Sequence, residues 1–174
     1  VAAKSATGVE QRVSACLVPE TADLARIDGV TNAVMVDAEP VGQALLVGPG
    51  AGGGATASSV LGDIIDIAAG RRAYAFGQEA ASLGALTVTP IADRAGAYYI
   101  RFNVIDQPGV IADVAGVLGQ HGVSIKSVLQ HGRDPSEAVP VVMTTHETTE
   151  AVIRDVATAL SALEAAVEPP ILMK

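Results

Sequence analysis

Tyr98-Tyr-Ile-Arg-Phe-Asn-Val-Ile-Asp-Gln-Pro-Gly-Val-Ile-Ala-Asp-Val-Ala-Gly-Val-Leu-Gly-Gln-His-Gly122 decides how the second half of this chain folds. Residues 98–104 alternate apolar and polar, as a half-buried strand does. Asp106-Gln-Pro-Gly109 reads as a turn, because proline presets φ and glycine tolerates a positive φ. Residues 110–121 then place Val110, Ile111, Val114, Val117 and Leu118 on one helical stripe, and Gly122 ends the helix.

Working outward from this stretch, residues 124–130 read as a strand, Asp134-Pro-Ser-Glu137 as a loop, and 139–145 as a strand. Thr148 opens a second helix, with Thr148 or Thr149 as cap and Val152, Val156, Leu160 and Leu163 inward. Residues 167–173 form a last strand, interrupted early by Pro169 and Pro170. The order is βαββαβ, the split, ferredoxin-like arrangement.

The first half has a different grammar. Residues 9–18 alternate loosely. Asn32-Ala-Val-Met-Val36 and residues 41–47 bracket the turn-forming Asp37-Ala-Glu-Pro40, which predicts an antiparallel hairpin. Its second strand runs into Gly48-Pro-Gly-Ala-Gly-Gly-Gly54, where five of seven residues are glycine. A helix over residues 56–69 follows, with Thr56 or Ser58 as cap, Val60, Leu61, Ile64, Ile65 and Ala68 on one face, and Gly70 at its end. Residues 71–96 are irregular and read as a linker lying partly over one of the domains.

Composition narrows the classes. Across 174 residues, 49% are apolar and 3% aromatic with no Trp, so the core must be aliphatic. The formal net charge of −8 argues against nucleic acid, which needs a basic face. No apolar run approaches a membrane span. The N-terminus lacks an initiator Met and a signal-peptide core, and a start in mid-protein is one reading of that. Cys16 is the one cysteine. It rules out an internal disulfide, makes a reduced, cytoplasmic setting the expectation, and reads as a small buried hydrophobe.

Two stretches carry a family resemblance. Gly48 to Asp66 resembles the segment that closes the catalytic domain of homoserine dehydrogenases. Leu17-Val-Pro19 and Asp28-Gly-Val-Thr-Asn-Ala-Val34 are similar to the strands before it. Residues 98–174, with Asp106-Gln-Pro-Gly-Val-Ile-Ala-Asp-Val-Ala-Gly-Val-Leu118 and His121-Gly-Val-Ser-Ile125, resemble an ACT domain, a regulatory module that binds amino acids. The resemblance implies an α+β chain. A partial mixed-sheet catalytic and dimerisation domain (1–72) and a linker (73–96) precede a ferredoxin-like βαββαβ ACT domain (97–174). It also implies NAD(P)-dependent interconversion of aspartate semialdehyde and homoserine by the complete enzyme. The choice between NAD and NADP would lie in a nucleotide-binding fold that these residues do not contain. None of the three lysines, Lys4, Lys126 and Lys174, matches the family's catalytic lysine motif. The chain alone is therefore expected to be inactive, with no catalytic residue and no cofactor bound. The alternative is a freestanding amino-acid-binding regulatory protein without catalysis.

Gly48, Gly50 and Gly53 formally fit G-x-G-x-x-G between a strand and a helix, the dinucleotide fingerprint. That motif needs a second parallel strand ending in an acidic residue. Here Arg71-Arg72 and an irregular stretch follow, so the fingerprint is set aside. The resemblance instead implies a loop that packs against a nicotinamide held elsewhere, with Gly52 the contact position and Gly50, Ala51 and Gly53 beside it. The competing reading is a glycine loop needed only for close helix–strand packing.

For the effector, the expected residues are Asp106, Gln107, Pro108, Gly109, Val110 and Ile111. Free N–H groups at the start of the helix suit an amino-acid carboxylate. Ser124 and Ile125 would come from a neighbouring subunit's strand. The family implies threonine as effector and a homo-oligomer as the assembly. The competing reading is an ordinary turn in a purely structural ACT pair. His121 suits a helix C-terminus, and His131 and His146 read as exposed strand ends. Asp63 and Asp66 read as a solvated face, and Arg71-Arg72 as favouring the helix C-terminus. No metal site is expected.

Overall fold

The computed structural model describes residues 1–4, 8–71, 73–130 and 138–174. His131, the loop expected at 134–137 and Arg72 lie outside the described residues. Along the chain come β1 (Ala2–Lys4), β2 (Val9–Gln11), β3 (Thr31–Ala38), β4 (Gly42–Pro49) and α1 (Gly53–Ala68). Then follow β5 (Ala95–Gly96), β6 (Tyr99–Ile105), α2 (Val110–Gln120), β7 (Ile125–Gln130), β8 (Ala138–Thr145), β9 (Thr148–Thr149), α3 (Glu150–Ser161) and β10 (Ile171–Met173). Among the described residues, three short 3-10 turns lie between them. Two compact units result: Val1–Leu17 with Leu86–Lys174, and Val18–Ala85.

The first unit contains a four-stranded antiparallel sheet in the order β10-β6-β8-β7. With α2 and α3 it is the βαββαβ arrangement. The pleat decides which side chains enter the core. Ile100, Phe102 and Val104 of β6 lie opposite Met143, Val141 and Val139 of β8, and all six are buried. Val110, Val114 and Leu118 of α2 and Ile153, Val156 and Leu160 of α3 cover the same core. Each such side chain contributes about 1.5–3 kcal/mol on burial. Gly122, at φ +69°, ends α2, and Thr149 caps α3 by accepting from the Val152 amide at 3.4 Å.

The sheet's two edges differ. β10 is three residues long and follows Pro169 and Pro170. This is shorter than the 167–173 expectation, because proline supplies no ladder N–H. Before it, Val167 N reaches Asn103 O at 3.0 Å outside the strand proper. β7 has a register shift between Ile125 and Ser127, and Val128 and Leu129 are exposed at its outer edge. The same unit contains the β1–β2 pair and the β5–β9 pair. β1 was not foreseen. The stretch read as a linker is partly structured, since Val88 bridges Val9 and β5 pairs with β9.

In the second unit, β3 and β4 pair from Thr31↔Pro49 to Ala38↔Gly42, the hairpin expected around residues 37–40. None of its described residues is buried. The helix after it begins at Gly53, three residues earlier than expected. Its N-cap is Gly52 at φ 116°, with no side-chain cap, so Thr56 and Ser58 do not cap it. The glycines themselves take up the first turn. The other end agrees with expectation: Gly70 stands just past it at φ +69°.

Candidate functional site

The glycine loop presents bare backbone. The Thr56 amide closes on Gly52 O at 3.1 Å, while the amides of Gly53, Gly54 and Ala55 find no backbone acceptor among the described residues. Each glycine there has a distinct cause. A Cβ at Gly50 would meet Asn32 Nδ2 at 1.1 Å, so Gly50 is needed by the hairpin itself. Gly52 is needed for its φ of 116°, which L side chains rarely adopt. A Cβ at Gly53 or Gly54 would meet nothing within 4 Å. Close packing inside this chain therefore accounts for Gly50 but not for Gly53 or Gly54. Glycine in a helix turn costs up to about 1 kcal/mol against alanine. A smooth surface with free N–H donors fits a flat, polar cofactor ring, so the residues present are compatible with a nicotinamide face.

The turn before α2 has the second candidate geometry. Gly109 is the N-cap at φ 98°, again without a side-chain cap. Val110 N bonds Gln107 O at 3.3 Å and Asp113 N bonds Gly109 O at 3.0 Å. The amides of Ile111 and Ala112 have no backbone acceptor among the described residues. Asp106 is fixed by Gln130 Nε2, which donates to its Oδ1 at 3.1 Å and ties the turn to the end of β7. Gln130 was not foreseen, because a bond across 24 residues leaves no local signal. A depression of about 280 Å3 opens beside Gln107, Pro108 and Val110, with Asp113 and Glu164 also on its lining. The two free amides at the start of α2 are donors of the kind that suits a carboxylate, and they do not line the depression. Ser124 and Ile125 lie at the opposite end of β7 from Gln130, so one copy does not bring them to the turn.

The remaining candidates are quiet or need correction. Cys16 is exposed, contrary to the buried hydrophobe expected of it. It lies in a segment without regular structure, where Arg12 Nη1 donates to its Sγ at 3.1 Å and Ser14 Oγ is 3.4 Å away. Those polar neighbours explain the exposure. The Ser14 hydrogen bond and the Arg12 charge hold the thiol below its ordinary pKa, with slight burial working the other way. Asp66 pairs with Arg71 at 2.8 Å past the end of α1, and both are exposed. His121 Nδ1 lies 2.8 Å from Val117 O at the end of α2, and His146 is exposed. Among the described residues, no three His, Cys, Asp or Glu side chains form a metal-binding group, and no helix is long and apolar enough to cross a membrane.

Residues 1–65 match the homoserine dehydrogenase family model, and residues 98–165 match the ACT domain model. The homoserine dehydrogenase of Neisseria gonorrhoeae is 38% identical over 99% of this chain, and that of Pseudomonas aeruginosa 36% identical over 100%. The chain spans 41% and 42% of their lengths. A crystal structure of a homoserine dehydrogenase from Thiobacillus denitrificans matches with a TM-score of 0.85 at 30% identity, over 99% of this chain and 40% of that one. The class is a dehydrogenase catalytic segment followed by an ACT regulatory domain. Within that class the chain belongs with the homoserine dehydrogenases and corresponds to their C-terminal part.

Proposed function

We propose that this chain is the cofactor-facing and effector-sensing part of an NAD(P)-dependent homoserine dehydrogenase that interconverts aspartate semialdehyde and homoserine. The observation that carries the reading is the succession, in one chain, of a homoserine dehydrogenase segment and an ACT domain. The nicotinamide cofactor supplies the hydride chemistry when bound. Gly52, with Gly50, Ala51 and Gly53, supplies a wall whose one side chain is the Ala51 methyl, with free amides beside it, against which the ring rests. The catalytic lysine and the nucleotide-binding fold belong to other parts of the enzyme. On this reading the 174-residue chain alone shows no turnover with homoserine and NAD(P), and turnover above background defeats it.

The ACT domain binds an amino-acid effector, threonine, through the amides of Ile111 and Ala112, which receive the carboxylate at the positive end of α2. Asp106, Gln107, Pro108, Gly109 and Val110 shape the turn, and Ser124 and Ile125 of a second copy close the site, so the working form is a cytoplasmic homo-oligomer. Calorimetry with threonine, and with serine and isoleucine as controls, tests this. Gly109→Val forces a branched residue into positive φ and perturbs the two charge-assisted bonds, so affinity falls about tenfold or more. Unchanged binding in Gly109→Val moves the site elsewhere. Absence of heat with every amino acid, in a folded chain, favours a purely structural ACT domain.

A further inference from the structure

A buried ion network joins the two family-matched segments. Arg94 and Glu150 are only 9% and 8% exposed. Arg94 Nη2 donates to Glu150 Oε2 at 2.8 Å, the Tyr98 hydroxyl donates to the same oxygen at 2.8 Å, and Arg154 Nε donates to Oε1 at 2.9 Å. The Glu150 amide also donates to Arg94 O at 2.9 Å. Burial pushes the Glu150 carboxyl up, but Tyr98, Arg154 and Arg94 outweigh it and hold the group below its ordinary value. The carboxylate is therefore charged at neutral pH.

On its other side Arg94 meets the catalytic segment. Its Nε lies 3.9 Å from Glu10 Oε1, and the same oxygen is 3.0 Å from Arg12 Nε. Neither Nε makes an aligned hydrogen bond. Glu10 thus holds two guanidinium groups by charge rather than by directed bonds. Glu10 lies in β2 and Arg12 just after it, within the homoserine dehydrogenase match. Glu150 is the first residue of α3, within the ACT match.

β2 has little else to hold it. It is three residues long, and Val9, its one apolar residue, is only partly buried. Its main-chain ties outside β1 are Val9 N to Thr87 O at 2.8 Å and Thr89 N to Val9 O at 2.9 Å. Further along, Leu17 N reaches Lys174 O at 2.9 Å. Apolar burial, which fastens α2 and α3, is nearly missing here. Two charges buried as a pair hold their partners firmly, since removing one strands the other in a poorly solvated place.

We propose that Glu150, Arg94, Glu10 and Arg12 form a latch that docks the β2 segment on the ACT domain and delivers a displacement of α3 to it. The latch does not depend on the effector reading. Its use as a route for effector control rests on that reading, because α3 packs along α2, whose start is the candidate effector site.

Hydrogen exchange on the full chain tests the latch. In Glu150→Gln, peptides covering residues 8–17 and 86–96 should exchange about tenfold faster, while those covering α2 and β8 stay within about twofold. Unchanged exchange over 8–17 overturns the proposal. Should Glu150→Gln loosen α2 and β8 as well, Glu10→Gln decides, since it removes the strand side of the latch and leaves the Arg94, Tyr98 and Arg154 bonds to Glu150 in place. Loosening of 8–17 alone in that variant supports the latch, and no change overturns it. Arg154→Ala is the control: Arg154 touches Glu150 from the exposed side, and the latch predicts no loosening of 8–17 there.

Discussion

α1 and α3 are amphipathic helices of similar length in one chain, with opposite fates. In α3, Ile153, Val156 and Leu160 are fully buried. In α1, Ile64, Ile65 and Ile67 remain 55%, 58% and 78% exposed. Both stripes follow the same helical periodicity. What differs is the surface opposite: α3 has the β6–β8 sheet and α2, while nothing among the described residues covers α1. A hydrophobic stripe specifies a face to be covered, and the covering has to come from elsewhere. The hairpin β3–β4 shares the condition of α1, with Val34 and Leu46 61% and 62% exposed.

The largest expected effect lies in the closed core. Phe102→Ala should cost about 3–5 kcal/mol in denaturant unfolding, because Phe102 is almost fully inaccessible and its loss leaves a cavity. A cost under about 1 kcal/mol would mean that this core is as loose as the open region. Acid comes next. The Glu150 carboxyl is held below its unfolded value, so its stabilisation is complete above the unfolded pKa and is lost as pH falls through the folded one. Stability of the first unit should therefore decline below the ordinary carboxylate range, near pH 4. Glu150→Gln should flatten that decline, and an identical pH profile would remove Glu150 from the account. Thr149→Ala should cost about 0.5–1 kcal/mol, at the low end for a cap because its bond is long at 3.4 Å. The smallest effect is the most pointed: Ile64→Ala in α1 should shift unfolding of this chain by less than about 0.5 kcal/mol. A loss comparable to that of Phe102→Ala would show α1 already covered, and the contrast would collapse.

Much of the first unit was legible because its signals are local. The alternation around Phe102, the stripe of α2 and the glycine at 122 each act within a few residues. The turn at Asp106–Gly109 was legible for the same reason, since Pro108 and Gly109 mark it locally. What escaped notice acts at a distance. Arg94 and Glu150 are 56 residues apart, and Arg94 stood in a stretch with no periodicity to mark it. The start of α1 was misplaced because glycine disfavours helix and so masks a first turn built from Gly53 and Gly54. Cys16 was misjudged because cysteine is usually buried, and the polar Arg12 and Ser14 beside it overrode that tendency.

The unlike edges of the β10-β6-β8-β7 sheet have a counting consequence. β10 is short and preceded by two prolines, so it is a poor template for another strand. β7, with Val128 and Leu129 at its rim, is the usable one, and the bulge at Lys126 confines pairing to the residues beyond it. Two copies joined β7 to β7 would use up both good edges and leave a blunt β10 at each end. Such pairing would consume the usable edge of each copy, where a sheet with two open edges would leave one free for a further copy.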